Sequence, residues 1–170
     1  MTHAIWLIPD DESLASISRL VARCSRFFGT APLKPHLTLL SRLGITDEKV
    51  LQLKAERLAT KLTPFEMQVL GLGFRAYMYQ AFYVQLEPNA GFQSARERAL
   101  QAYDVPERQS FPHISLAYGD MPDDAKREFQ PVIEPDLPEF IRFDRLQLVR
   151  LQDPYPEWRV LWEKNLKRTP

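Results

Sequence analysis

The chain has 170 residues, of which 45% are hydrophobic and 26% charged, as in an ordinary soluble globular protein. Its 22 basic and 22 acidic residues balance, which excludes the global positive field that draws proteins to long nucleic acids. The single cysteine, Cys24, excludes an internal disulfide and favours a reducing compartment. With no signal-peptide pattern and no membrane span in the sequence, we expect a cytoplasmic, monomeric protein with one domain over residues 1–170.

The first half of the chain alternates strand and helix. Ala4–Ile8 predicts a strand, and Asp10 is suited to cap a helix that stops at Gly29. A strand running to about Arg42 follows, and then a helix over about Thr46–Leu62. The apolar residues placed near one face of that second helix are Val50, Leu53, Leu58 and Leu62.

The second half repeats this order. The predicted elements are strands at 65–74 and 81–86, a helix at 92–103, a strand to Tyr118, a short helix at 122–129, and a closing hairpin at 140–151 and 158–162. This repetition indicates a diverged duplication. We predict an α+β, bilobal, pseudo-symmetric fold of two intertwined antiparallel-sheet lobes, with helices on the outside and the active-site cleft between the lobes.

Two matched tetrapeptides are the most informative feature of the sequence. His36-Leu37-Thr38-Leu39 and His113-Ile114-Ser115-Leu116 each follow a proline, and their histidines are 113 − 36 = 77 residues apart. Residues i and i+2 of a strand point to the same face, so each motif presents an imidazole beside a hydroxyl. Two such strands facing each other would supply an acid, a base and two hydroxyls. That arrangement suits a cyclic phosphodiester.

Other kinds of site fit the sequence less well. It has no His-Glu-x-x-His pattern and no Cys/His cluster, and Ser115 has no nucleophile elbow. Gly71-Leu72-Gly73 lacks the rest of a phosphate-loop fingerprint. The third histidine, His3, has no motif around it, and we expect it to be solvated. We therefore expect no metal.

The paired motifs resemble those of the two-histidine phosphoesterase superfamily, a bilobal α+β family that needs neither metal nor organic cofactor. Within it, the chain is most similar to the cyclic phosphodiesterase-like branch of 2′,3′-cyclic nucleotide phosphodiesterases. That branch has a tryptophan in its first strand, as in Ala4–Pro9, and an aromatic residue shortly after its second motif, as in His113–Tyr118. The roles that the resemblance implies are catalysis by His36 and His113, phosphate binding by Thr38 and Ser115, and base stacking by Trp6 and Tyr118.

The leading prediction is metal-independent hydrolysis of a nucleoside 2′,3′-cyclic phosphate or ADP-ribose 1″,2″-cyclic phosphate to a phosphomonoester. The resemblance suggests His113 as the base and His36 as the acid. A second reading is an RNA-end enzyme, a 2′,5′ ligase or a 3′-end phosphodiesterase. It predicts a basic groove near the motifs, for which the sequence gives only scattered support such as Arg42, Arg75 and Arg108. A third is a nucleotide- or RNA-end-binding module without catalysis. The expected ligand is a small nucleotide or an RNA 3′ end.

Several side chains near the motifs have simpler explanations than ligand binding. Tyr77 and Tyr79 lie in an aromatic turn that could border the pocket, and packing between strands is the simpler expectation. Trp158 is expected to pack in the core or within the closing hairpin. Lys34 is placed on the same strand face as His36 and could support the phosphate, and a solvated side chain is the simpler expectation. For two histidines of ordinary pKa, the expected pH optimum lies between about 6 and 7.5.

Overall fold

The computed structural model describes residues 2–106 and 111–167, and it confirms the predicted order of elements. The strands are β1 (Thr2–Pro9), β2 (Leu37–Leu40), β3 (Phe65–Gly73), β4 (Phe82–Leu86), β5 (His113–Ala117), β6 (Phe140–Leu151) and β7 (Arg159–Asn165). The helices are α1 (Asp11–Phe28), α2 (Glu48–Ala59), α3 (Ala90–Tyr103) and α4 (Asp123–Ile133). Within these described residues, no helix combines the length and the apolar character needed to cross a membrane.

Side chains just outside the helices set where the helices begin and end. Asp10 accepts a hydrogen bond from a backbone N–H in the first turn of α1, and Gly29 ends that helix in the left-handed conformation at φ 66°. Asn89 caps α3 in the same way as Asp10 caps α1. Asp47, rather than the expected Thr46, caps α2 and accepts hydrogen bonds from two backbone N–H groups.

The strands form one antiparallel sheet whose pairings close into a ring. Its order is β1-β2-β5-β4-β3-β6, with β6 pairing back onto β1 and also onto β7. If β1, β2 and β3 trade places with β4, β5 and β6 respectively, the same pairs of strands remain neighbours in the ring. This two-fold pattern confirms the predicted pseudo-symmetry. The lobes β2-β1-β6 and β5-β4-β3 share strands from both halves of the chain. They are joined into one sheet because β6 is 12 residues long and pairs with β3 at one end and with β1 along the rest.

The two motif strands lie next to each other, with Leu37 opposite Ile114. The alternate residues of both motifs are at most 1% exposed and belong to the main core: Leu37, Leu39, Ile114 and Leu116. Burial of these apolar side chains fixes the register of each strand, because a slip of one residue would expose all of them. The opposite face of each strand therefore presents the imidazole and the hydroxyl.

The expectation that His3 is solvated is wrong. The residue is 4% exposed, and its Nε2 lies 3.1 Å from Oε1 of Glu48. Arg150 donates two hydrogen bonds of 2.6 Å to the same carboxylate, and these lower the pKa of Glu48 to about 2, with a further contribution from His3. The three side chains join the start of α2 to β1 and β6. No sequence pattern marks this cluster, because its members lie far apart along the chain.

Candidate active site

One cavity of about 480 Å³ lies where the two motif strands meet. All six side chains given a role by the sequence line it: Trp6, His36, Thr38, His113, Ser115 and Tyr118. The fold thus brings together residues that are more than 100 positions apart in the sequence. Their individual roles stay predictions, and the surroundings of each residue indicate what it can do.

Both imidazoles are held by the same local hydrogen bond. Nδ1 of His36 lies 2.7 Å from the carbonyl oxygen of Lys34, and Nδ1 of His113 lies 3.0 Å from that of Phe111. A carbonyl oxygen can only accept, so Nδ1 must carry the proton in each ring. The Nε2 atom of each neutral ring is therefore left with its lone pair. The two halves of the chain present the same histidine tautomer to one cavity.

His36 is almost completely enclosed by the protein. Its ring stacks on the indole of Trp6, with centroids 3.6 Å apart and planes 12° apart, and the residue is 6% exposed. This burial lowers the pKa of His36 to about 4, against the raising effect of the Lys34 carbonyl, and the charge of His113 lowers it further. One face of Trp6 is consequently covered by the protein itself.

His113 lies against a second column of side chains. Its ring stacks on Phe111 at a centroid distance of 4.6 Å, and the guanidinium of Arg75 lies 4.3 Å from the centroid of the Phe111 ring. Burial lowers the pKa of His113, the Phe111 carbonyl raises it, and the positive charge of Arg75 lowers it. Both imidazoles are therefore neutral near pH 7 in the free protein.

The two motif hydroxyls differ in their surroundings. Ser115 donates its proton to the carbonyl oxygen of Tyr79 at 3.0 Å, and Tyr79 in turn donates from its hydroxyl to Asp153 at 2.9 Å. Thr38 Oγ1 has no hydrogen-bond partner among the described residues. Thr38 can therefore donate a hydrogen bond directly to a bound phosphate, whereas Ser115 must first break its hydrogen bond to the Tyr79 carbonyl oxygen.

Aromatic residues line more of the cavity than the sequence indicated. Tyr77, Tyr79 and Trp158 all contribute, and Trp158 also packs against the apolar cluster that contains Trp6, as expected. The ring of Trp158 lies 5.8 Å from those of Trp6, Tyr79 and Tyr118, centroid to centroid. No periodicity marks Trp158 in the sequence, because its position depends on the β6–β7 loop folding back onto the cavity.

Charged side chains are sparse around the cavity. Within residues 2–106 and 111–167, Arg42 and Asp153 are the lining residues that carry a charge near pH 7. Arg42 has the left-handed φ of 55°, uncommon for a residue other than glycine. Arg75 packs against the Phe111 ring and does not line the cavity. Arg108 falls outside the described residues. That part of the chain also brings together no group of three or more His, Cys, Asp or Glu side chains that could hold a metal ion.

Comparison with known proteins gives one family and several similar folds. Residues 3–154 match the family model described as the 2′-5′ RNA ligase superfamily. The structure is similar to that of TT0787 from Thermus thermophilus, with 22% identity, 99% of each chain covered and a TM-score of 0.64. It is also similar to E. coli LigT in complexes with phosphate and with 3′-AMP, with 17% identity, 98% of each chain covered and TM-scores of 0.62 and 0.61. A search of curated protein sequences finds no significant match.

Proposed function

The chain belongs to the 2′-5′ RNA ligase superfamily, and we propose that it hydrolyses a nucleoside 2′,3′-cyclic phosphate or a related cyclic phosphodiester to a phosphomonoester. This membership confirms the predicted superfamily of two-histidine phosphoesterases, whose members are phosphoester-processing enzymes. The cyclic phosphodiesterase-like branch and its substrate belong to our proposal.

The matched hydrogen bonds of the two histidines carry this proposal. Hydrolysis of a cyclic phosphate needs a base for the attacking water and an acid for the leaving ribose oxygen. His36 and His113 line one cavity with Nδ1 bound to a backbone carbonyl, so each offers Nε2 for proton transfer. A purely structural role would give no reason for two imidazoles, from separate motifs, to share one tautomer and one cavity.

The reaction can be written with these residues alone. His113 takes a proton from water through Nε2 while the water oxygen attacks phosphorus. The bond from phosphorus to one ribose oxygen breaks, and that oxygen takes a proton from Nε2 of His36. Thr38 donates a hydrogen bond to a non-bridging oxygen, where negative charge is held in the transition state. Because the pKa of His36 is about 4 in the free protein, the bound phosphate anion must raise it before His36 can serve as the acid.

The experiment is turnover of adenosine 2′,3′-cyclic phosphate by the purified protein in excess chelator. We expect hydrolysis to a single phosphomonoester, and losses of at least about 100-fold in kcat for His36→Ala and for His113→Ala. His3→Asn is the matched control, since His3 lies in the Glu48 cluster. Loss of activity with chelator and its return with zinc or magnesium would contradict the metal-free reaction. Near-native kcat in either alanine variant would contradict the two-histidine reaction.

Cleavage or joining of 2′,5′-linked RNA ends is the second candidate. The description of the matched family and the presence of Arg42 at the cavity favour it. A 2′,5′-linked dinucleotide assayed beside its 3′,5′ isomer separates the two candidates. Turnover of the 2′,5′ isomer without turnover of the cyclic phosphate would establish the second one. Tight binding of all these compounds with no turnover would instead indicate the non-catalytic binding module.

A further inference from the structure

A second, largely apolar pocket adjoins the catalytic cavity. It has a volume of about 320 Å³ and shares four lining residues with the cavity: Trp6, His36, Tyr118 and Trp158. Its other walls include Pro32, Lys34, Tyr155 and Val160. The side pocket therefore adjoins the stacked Trp6 and His36 rings, next to the reacting phosphate of the proposed function.

The loop between β6 and β7 forms one wall of this side pocket and is fastened at two points. We name residues Asp153–Trp158 the strap. The hydroxyl of Tyr155 donates to the carbonyl oxygen of Ala31 at 2.7 Å, and Asp153 accepts the hydroxyl of Tyr79 at 2.9 Å. The family match ends at residue 154, so Tyr155 and Trp158 lie beyond it. Four of the eleven residues that line the side pocket therefore lie in a part of the chain that the family model does not cover: Tyr155, Pro156, Trp158 and Val160.

The lining of the side pocket suits a flat aromatic group that lies beside a negative charge. Trp6, Tyr155 and Trp158 supply aromatic walls, and Lys34 is the one residue of the described lining that carries a charge near pH 7. Nε1 of Trp158, a residue that lines both pockets, is buried and has no hydrogen-bond partner among the described residues. A nucleobase has an aromatic face and ring acceptors, and its backbone phosphate would pair with Lys34.

We propose that the side pocket binds a second nucleobase, so that the preferred substrate contains at least two linked nucleosides and a reacting terminal phosphate. The catalytic cavity has its own aromatic residues, Tyr77 and Tyr79, and its 480 Å³ is within the range that holds one small ligand. The first nucleoside is therefore accommodated there. The strap and Lys34 contact the second nucleoside, which is linked to the first. This proposal rests on the proposed function only in placing the reacting phosphate at His36 and His113.

Equilibrium binding tests the side pocket whether or not the protein is catalytic. The ligands are adenosine 3′-monophosphate and the dinucleotide ApA carrying a 3′-phosphate, titrated by calorimetry. Stacking of one base contributes enough free energy for the dinucleotide to bind at least about fivefold more tightly. Tyr155→Ala should bring this affinity ratio close to one, while Tyr155→Phe, which keeps the ring, should preserve most of it. Lys34→Ala should lower the ratio, and Lys61→Ala, which removes an exposed lysine of the α2–β3 connection, should not.

The corresponding cyclic phosphates then give the ratio of kcat/KM for dinucleotide over mononucleotide, with the same variants. Equal affinities of the two 3′-phosphates for the wild-type protein would overturn the second-base pocket. A dinucleotide preference that survives both Tyr155→Ala and Lys34→Ala would also overturn it, because the second base would then bind elsewhere. Failure of turnover with a preserved, Tyr155-dependent affinity ratio would overturn the proposed reaction and leave the side pocket supported.

Discussion

The indole of Trp6 lies face to face with the imidazole of His36, and the two rings are 12° from parallel with centroids 3.6 Å apart. The resemblance to cyclic phosphodiesterases gave Trp6 a stacking role toward the nucleobase. In the structure, one face of the indole is occupied by the protein's own histidine. Trp6 is thus placed to orient His36 and to exclude water from it, and only the remainder of its surface can reach a ligand.

The first prediction concerns this stack. Replacing Trp6 with leucine should admit water to His36, and the pKa of His36 should rise from about 4 toward its ordinary value of 6.5. The titration of the imidazole Hε1 resonance by NMR measures the change directly. Trp162→Phe is the control, since it removes a tryptophan of β7 that packs against the main core instead. An unchanged titration of His36 in Trp6→Leu would mean that other residues bury the ring.

The second prediction links the same pKa to folding. Unfolded His36 binds a proton below about pH 6.5, whereas the folded form does so only near pH 4. Between these values the unfolded chain holds more protons, so the free energy of unfolding must fall as the pH is lowered from about 6.5 to 4. The full contribution of His36 is on the order of 3 kcal/mol. Urea unfolding at several pH values should show this decline, and His36→Gln, which cannot titrate, should show a clearly shallower one.

An identical slope in His36→Gln would assign the decline to other groups. Glu48 is separable from it, because its pKa is lowered to about 2 and its contribution is lost only as the pH falls below about 4.5. The two windows barely overlap.

The third prediction separates the two motif hydroxyls. Thr38 is free to donate to phosphate, whereas the Ser115 proton is held by the Tyr79 carbonyl. Thr38→Val, which keeps the shape and removes the donor, should lower kcat by about 10- to 100-fold. Ser115→Ala should lower kcat by less than about 10-fold. Equal losses in steady-state assays would show that substrate binding frees the Ser115 hydroxyl from Tyr79.

The sequence was sufficient for the order of elements and for the meeting of the two motifs, because both follow from local pattern. It was insufficient where two sets of residues on one helix both had the spacing of a buried face. In α2 the buried stripe is Leu51, Ala55 and Leu58, while Val50 and Leu53 are exposed. Both sets have helical spacing, and an alanine in the buried stripe gives a weak apolar signal. The packing of α2 against neighbouring elements decides between them.

Contacts between distant residues escaped prediction for a different reason. His3 was expected to be solvated, yet its partners Glu48 and Arg150 are 45 and 147 positions away. Trp158 belongs to a hairpin loop whose path over the cavity depends on hydrogen bonds to Ala31 and Tyr79. Neither relationship has a local signature. Pairing of β1 with β6 creates the first, and the fastening of the strap creates the second.

The fourth prediction is the pH dependence of kcat/KM for the cyclic phosphate. This parameter reports the ionisations of the free protein, where burial lowers the pKa of His36 to about 4 and also lowers that of His113. One imidazole must be neutral and the other protonated, so the profile should be a bell whose maximum lies between about pH 4 and 6.5. That is more acidic than the optimum expected for two ordinary histidines. A maximum above pH 7, or a profile flat from pH 5 to 9, would contradict acid–base catalysis by these two residues as the structure presents them.

The last prediction identifies which histidine is the acid and which is the base. The bell-shaped pH profile cannot do this, because its two apparent pKa values belong to the coupled pair of histidines. In a 4-nitrophenyl phosphodiester the leaving group is 4-nitrophenolate, a stable anion that needs no proton from an acid, although the attacking water still needs a base. With the 4-nitrophenyl ester of 2′-deoxyadenosine 3′-phosphate, the kcat of His36→Ala should therefore recover to within about 10-fold of wild type, whereas His113→Ala should keep its loss of at least about 100-fold.

Thr38→Val serves as the control and should show the same loss with both substrates, since Thr38 acts on the non-bridging oxygens in either reaction. If only His113→Ala recovered activity on the 4-nitrophenyl ester, His113 would be the acid and His36 the base. That assignment would agree with the low pKa of His36, because a base must be neutral to accept a proton. Recovery of neither variant would mean that both imidazoles stabilise charge rather than transfer protons.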